Sequence, residues 1–404
     1  MRKHLSTLAL ATLAATGALA QGQPIRIVGP VDMSGGAADV GRDALAGFQY
    51  AIEQLNKNGG VLGRQLVYEH QDGGGNPQRS ISQGNSLLQQ GGAALVLSPQ
   101  SSAAALAFNK VFTPKAKVPV CVGVSTSDAI TMKDFNPYVY SVTPTSFMEG
   151  RALAAHFAKL PYKRYAMLSA DYAGGRDVVS RVRNSLKALR PDIEIVAEEY
   201  PKFGATDYTA SINKLLAAKP DYVFSILYGA DLLTFSKQAN SIGFFKQINN
   251  KFAALYDFNT LKAMGENAPV GTEGYQRAPA NYLSRQSAQA KTFIDGFKSK
   301  TGGYPSDWTI MSYDCVMTWA QAATAAKSIE PDAVMKAIES NKFNSPRGAF
   351  QFAAYDHQAD VPTFMGVVTQ SKEFGQPVLD IKEVLSGAAS RPSEETVRAI
   401  RAER

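Results

Sequence analysis

The sequence predicts an α/β protein of two doubly wound parallel-sheet lobes, joined by a hinge of several chain crossings. Three observations carry this. Short apolar runs alternate with amphipathic helical stretches from residue 25 to 124. The same alternation restarts near residue 143 and continues to about 278. In both stretches the apolar runs stop at turns rich in Gly, Ser or Asp. Alternating β and α segments favour parallel strands with helices packed on both faces.

In the first half, Ile25–Pro30 reads as a strand and Asp32–Gly36 as a glycine-rich loop. The spacing of Ala44, Phe48, Ala51, Ile52 and Leu55 predicts a helix over about 41–58, ended by Asn58-Gly59-Gly60. Leu66–His70 is the next strand. The loop Gln71–Pro77 leads into a helix reaching Leu88. In the second half, strands are expected at 165–169, 193–200, 222–227 and 252–257, with helices between them. Tyr138–Val142 reads as a connecting strand. Helices follow at about 286–301, 309–327 and 331–340, then strands at 348–352 and 365–369. The expected partition is 24–142 with 279–355 for lobe 1, and 143–278 with 356–404 for lobe 2. Within it, 385–404 is expected to be an exposed tail.

Residues 95–128 are the centre of this reading. Leu95-Val96-Leu97 stops at Ser98-Pro99, and Ser101-Ser102 precede an alanine-rich helix over about 103–112. Val118–Val124 then stops at Ser125-Thr126-Ser127-Asp128. Two adjacent strand ends therefore carry hydroxyl clusters at the edge where helix N-termini gather. That edge suits an anion, and ligands of open α/β sheets bind there. Capping and turn-making are the structural alternative for each serine.

The first 20 residues form a secretory signal. Arg2, Lys3 and His4 precede an uncharged run from Leu5 to Ala20, and Ala18-Leu19-Ala20 predicts cleavage after Ala20. The mature 384 of the 404 residues suit two cores. Net charge falls from +7 to +5 once Arg2 and Lys3 leave, and the remaining basic residues are dispersed. This gives nucleic-acid binding no support. Cys121 and Cys315 each sit in an apolar run, so two separate buried thiols are expected; pairing in an oxidising compartment is the alternative. His70, His156 and His357 lie far apart in sequence and suggest no metal or cofactor site. The nearest approach to a nucleophile elbow, Gly123-Val124-Ser125-Thr126-Ser127, lacks its second glycine, and no HExxH, Walker A or GxGxxG motif is present. The expectation is a protein without catalysis.

Several local patterns, in this order, resemble the periplasmic branched-chain amino-acid-binding proteins of ABC transporters, of the type I periplasmic binding fold. They are Met33-Ser34-Gly35, Ala46-Gly47, Asn58-Gly59-Gly60-Val61-Leu62-Gly63-Arg64, Asp72 with Pro77, Lys237-Gln238-Ala239 with Gly243, and Ser312-Tyr313-Asp314. The resemblance covers nearly all of 24–370. It implies two lobes that close on a small solute, an amino acid or an aromatic or aliphatic carboxylate, and a periplasmic monomer that docks on a membrane permease. A sensory protein of the same fold is the alternative. Carried over residue by residue, Ser102, Ser125 and Thr126 would grip a carboxylate, and Tyr172 and Tyr228 would line the second lobe. Asp257 would hold an ammonium group, with Tyr256 the alternative at that position. The disulfide that some members carry in the first lobe is not expected, because Gly75 and Ser101 or Ser102 stand at its positions.

Overall fold

A computed structural model describes residues 22–403, so the predicted signal peptide lies outside the described residues. The first lobe is a five-stranded parallel sheet of β1 (Ile25–Val31), β2 (Leu66–Asp72), β3 (Leu95–Leu97), β4 (Val120–Val122) and β5 (Val139–Ser141), in the order β2-β1-β3-β4-β5. The second begins with β6 (Arg164–Leu168), β7 (Glu194–Glu199), β8 (Tyr222–Ser225), β9 (Phe252–Leu255) and β10 (Glu273–Gln276). The chain then makes a small ribbon from β11 (Lys342–Phe343) and β12 (Phe350–Gln351). It returns with β13 (Thr363–Ser371) and β14 (Gln376–Leu385) to complete a sheet ordered β14-β13-β10-β9-β8-β6-β7.

Two details differ from the sequence reading. The expected connecting strand is β5, a full edge strand paired with β4 from Val120–Val139 to Val122–Ser141. The second sheet is mixed, because β13 runs antiparallel to β10 and β14 antiparallel to β13. The central strands β3, β4, β8 and β9 are buried at every residue, as strands covered by helices on both faces must be.

In the first lobe the Ala38–Lys57 helix packs along Asp307–Ala326. Gly47 makes the approach close, since a methyl group there would overlap the Thr309 carbonyl oxygen. The crossings between lobes are held mainly through backbone groups. Ser141 donates to the His357 carbonyl (3.0 Å), Ala359 donates back to the Ser141 carbonyl (3.0 Å), and Gln358 Nε2 reaches the Thr143 carbonyl (2.8 Å). Arg347, paired with Asp314, donates to the Val142 carbonyl (2.7 Å).

Two expectations are corrected here. Cys121 and Cys315 are not separate thiols but a disulfide, with Cα atoms 5.7 Å apart. The two apolar runs face each other because the helix carrying Cys315 covers the sheet face onto which β4 turns Cys121. Their separation of 194 residues left no trace of this in the sequence. The C-terminal segment is not simply an exposed tail. Val397 is fully buried, and Arg401 donates to the carbonyls of Thr131, Met132 and Tyr355. A helix with one buried valine and an anchoring arginine carries too short a pattern to be read as a packing face. Replacing both cysteines by alanine should lower unfolding free energy by about 2–5 kcal/mol. Urea titration checks this, and an unchanged midpoint would show that the bridge adds no stability.

Candidate ligand-binding site

A cavity of about 310 Å³ lies between the lobes. Most of its wall comes from residues at or just past the carboxyl ends of strands. Gly36 and Ala37 follow β1, Gln100–Ser102 follow β3, and Thr126 follows β4. Across the cleft, Tyr172 follows β6, Phe203 follows β7, Tyr228 follows β8 and Arg277 follows β10. Trp308, in the first turn of the Asp307–Ala326 helix, completes the wall.

Four helices point their N-termini here. Their N-cap residues are Ala37, Ser101, Tyr172 and Tyr228, and none of these side chains makes a capping hydrogen bond. Apart from the Ala38 amide, which donates to the Gly35 carbonyl, their first amides and dipoles are therefore left to a ligand, and an anion is what they favour. Several helices elsewhere, with N-caps Asn76, Thr145, Ser287 and Ser306, are capped through the side chain, although those that follow Tyr208 and Glu330 are not.

Arg277 adds a guanidinium whose charge is balanced by the Glu149 carboxylate. Burial works against its guanidinium, but Glu149 outweighs that and raises its pKa. Nε and Nη2 bond the Glu149 carboxylate, while no hydrogen bond among the described residues falls to Nη1. The guanidinium carbon lies 4.8 Å from the Trp308 ring centroid. Tyr172, Phe203, Tyr228 and Trp308 form one connected set of rings, with centroids 5.4–6.2 Å apart. Burial pushes the Tyr172 and Tyr228 phenols up, so both remain neutral hydrogen-bond donors. The lobe-1 rim is tied together by Asp32, fully buried, which accepts from the amides of Gly75 (2.9 Å), Gln100 (3.1 Å) and Ser101 (2.8 Å).

A family model described as "Periplasmic binding protein" matches residues 24–373. The chain belongs to that family. Among relatives of this periplasmic binding protein is the Leucine-, isoleucine-, valine-, threonine-, and alanine-binding protein of Pseudomonas aeruginosa. It is 23% identical over 368 residues, covering 90% of this chain and 94% of the relative. Solved structures share the fold. A solute binding protein of an ABC transporter from R. palustris, in complex with benzoate, has a TM-score of 0.79 at 19% identity, over 90% of this chain and 96% of that one. The branched-chain amino acid transporter substrate binding protein LivJ of Streptococcus pneumoniae, in complex with isoleucine, has 0.76 at 22%, over 90% and 99%.

Of the six residues singled out in the sequence, this periplasmic binding protein brings Ser102, Thr126, Tyr172 and Tyr228 to the cavity. Ser125 is buried beside it, its hydroxyl 3.4 Å from the Ser127 amide. Asp257 is elsewhere. It caps the Phe258–Met264 helix, accepting from the amides of Asn259 and Thr260 (3.0 Å each) and from the Thr260 hydroxyl. Tyr256 is fully buried against Thr272 and does not line the cavity. Asp231 accepts from the Gly204 amide (3.2 Å) and the Tyr208 hydroxyl (2.7 Å). Asp72 fixes its loop, accepting from Met33, Ser34 and Gly74. Arg277, Trp308, Phe203, Gln100 and Asp32 escaped the sequence reading. Only Asp32, in a Gly-rich loop after the first strand, had a signal that could have marked it.

Asp257 lines an outer cleft of about 560 Å³, with Asp39, Asp43 and Asp231. Asp43 comes from the first lobe and Asp257 from the second. Burial, with Asp257 adding to it, pushes Asp43 up to about 6, and burial pushes Asp307 up to about 7. A carboxyl whose folded pKa exceeds its unfolded value contributes stability at low pH, lost as pH rises toward the folded value. Asp43→Asn should therefore raise the melting temperature near about pH 7.5 and leave it unchanged near about pH 4. Thermal melts at both pH values test this, and equal shifts would disprove it.

Proposed function

We propose that this protein is the solute-binding component of an ABC importer, and that it captures a small carboxylate with an aromatic or branched apolar body. The observation that carries this is the cavity wall. Four helix N-termini and Arg277 face it, and among the described residues no Asp or Glu lines it. A carboxylate enters such a site with its charge met by amides, hydroxyls and a guanidinium. The ammonium of an α-amino acid would have no anionic partner there, and Asp257, the residue expected to supply one, already accepts three hydrogen bonds. The four rings would cover the apolar body.

In this reading Ser102 and Thr126 grip the carboxylate from the first lobe, with Ser125 shaping the loop behind them. Tyr172 and Tyr228 donate from the second. Ligand bridging both lobes favours the closed state by its differential affinity for it. The lobes already meet in an ion pair between Arg181 Nε and Asp128 Oδ2 (3.0 Å). The protein performs no catalysis, is exported by its signal peptide with cleavage after Ala20, acts as a periplasmic monomer and hands its cargo to an inner-membrane permease.

Isothermal titration of the ligand-stripped mature protein with benzoate, phenylalanine, leucine, isoleucine, valine and benzamide tests the reading. Benzoate is expected to bind and benzamide not. Ser102→Ala or Thr126→Ala should each weaken binding by about 1–3 kcal/mol, the worth of a charge-assisted hydrogen bond. Equal affinity for benzoate and benzamide would refute the carboxylate site. Tight binding of leucine with none of benzoate would return the protein to the amino-acid class.

A further inference from the structure

The cavity and the outer acidic cleft are neighbours. Both are lined by Gly36, Val40, Phe203, Tyr228 and Trp308. One compartment offers helix N-termini and the Glu149-paired Arg277 but no carboxylate of its own, the other four aspartates together with Arg42, which pairs with Asp39. What separates them decides how long a ligand the protein accepts.

Two of the dividing rings are fixed by regular structure. Tyr228 is the N-cap of the Gly229–Ile242 helix, and Trp308 belongs to the Asp307–Ala326 helix. Phe203 is different, because it sits in the irregular stretch between β7 and the Thr209–Ala217 helix. Its ring crosses the cleft and lies against Gly36 of the first lobe, so closely that a methyl group at position 36 would overlap it. It also touches Tyr172 and Tyr228, with centroids 5.4 and 6.1 Å away. The stretch is anchored from behind by Asp231, through Gly204 and Tyr208, and by Gln238 Oε1, which accepts from the Tyr208 amide (2.6 Å).

We propose that Phe203 is the specificity-determining gate of the site. Its ring, seated on Gly36, walls the carboxylate chamber off from the outer cleft and limits the ligand to a single short apolar body; this rests on the carboxylate reading above. Asp231 is the positioning residue that holds the gate in place. With the ring removed, the two compartments become one. A ligand could then keep its carboxylate in the chamber and extend a cationic group toward Asp43.

The test is the affinity of wild type, Phe203→Ala and Phe203→Leu for benzoate and for 4-(aminomethyl)benzoate, which adds one carbon and an amine opposite the carboxylate. Wild type should prefer benzoate by at least about tenfold, since a closed apolar pocket discriminates by that order for each added group. Phe203→Ala should erase or reverse the preference, mostly by tighter binding of the longer acid, and Phe203→Leu should fall between. Raising salt should weaken the longer acid in Phe203→Ala more than benzoate, because the new contact is ionic. If both acids lose affinity in parallel in Phe203→Ala, the gate is wrong and the carboxylate site stands. If wild type binds no carboxylate at all, both fall together. If wild type already takes the longer acid as well as benzoate, the wall does not exist and the gate is wrong.

Discussion

The arrangement depends on one buried ion pair. Arg277 lies where the chain leaves the second lobe, and its guanidinium and the Glu149 carboxylate are almost wholly out of water. Neither charge could be buried alone without a penalty of several kcal/mol. Glu149 therefore fixes where Arg277 sits, and Arg277 lines the cavity. Its backbone amide donates to Asp307, and its face covers Trp308, both in the first lobe. The same residue thus supplies a guanidinium to the site and ties one crossing to the opposite lobe.

Around that pair, the site is built by withholding ordinary stabilisation. A serine, asparagine or aspartate that bonds an exposed helix amide is worth about 0.5–2 kcal/mol. At Ala37, Tyr172 and Tyr228 the chain forgoes that side chain, and at Ser101 the hydroxyl is present but makes no such bond. Asp32 instead spends its carboxylate on three loop amides, which shapes the rim without filling the cavity. The opposing carboxylates of the outer cleft are a second concession, since Asp257 adds to the cost of ionising Asp43 where the lobes approach.

The architecture was legible because it rests on local signals. Apolar runs of strand length, glycine-rich turns at their ends and helical periodicity placed almost every element within a few residues. Ser102, Thr126, Tyr172 and Tyr228 were legible for the same reason, since each stands where a strand ends and a helix begins. What escaped depends on tertiary placement. Arg277 sits in Gln276-Arg277-Ala278-Pro279, which has no motif, and its importance comes from Glu149, distant in sequence. Phe203 sits in an irregular loop, and its place in the site comes from Gly36 of the other lobe and from the rings of Tyr172 and Tyr228. Asp257 was misjudged because a residue that caps a helix and one that meets a ligand look alike at a strand end.

The disulfide has a mechanical consequence. Cys121 and Cys315 both belong to the first lobe, so the covalent bond leaves the hinge free while closing residues 121–315 into a ring. All five parallel strands of the second sheet, from Arg164 to Gln276, lie inside that ring. Tension applied at the two ends of the chain would peel away β14 and β13, which lie outside it. It would then run through the sulfur atoms and bypass the enclosed strands, so the contour length released under load would fall short by nearly all of the enclosed chain. The half of the protein that swings over the ligand is held as a shielded insert within a covalently closed frame.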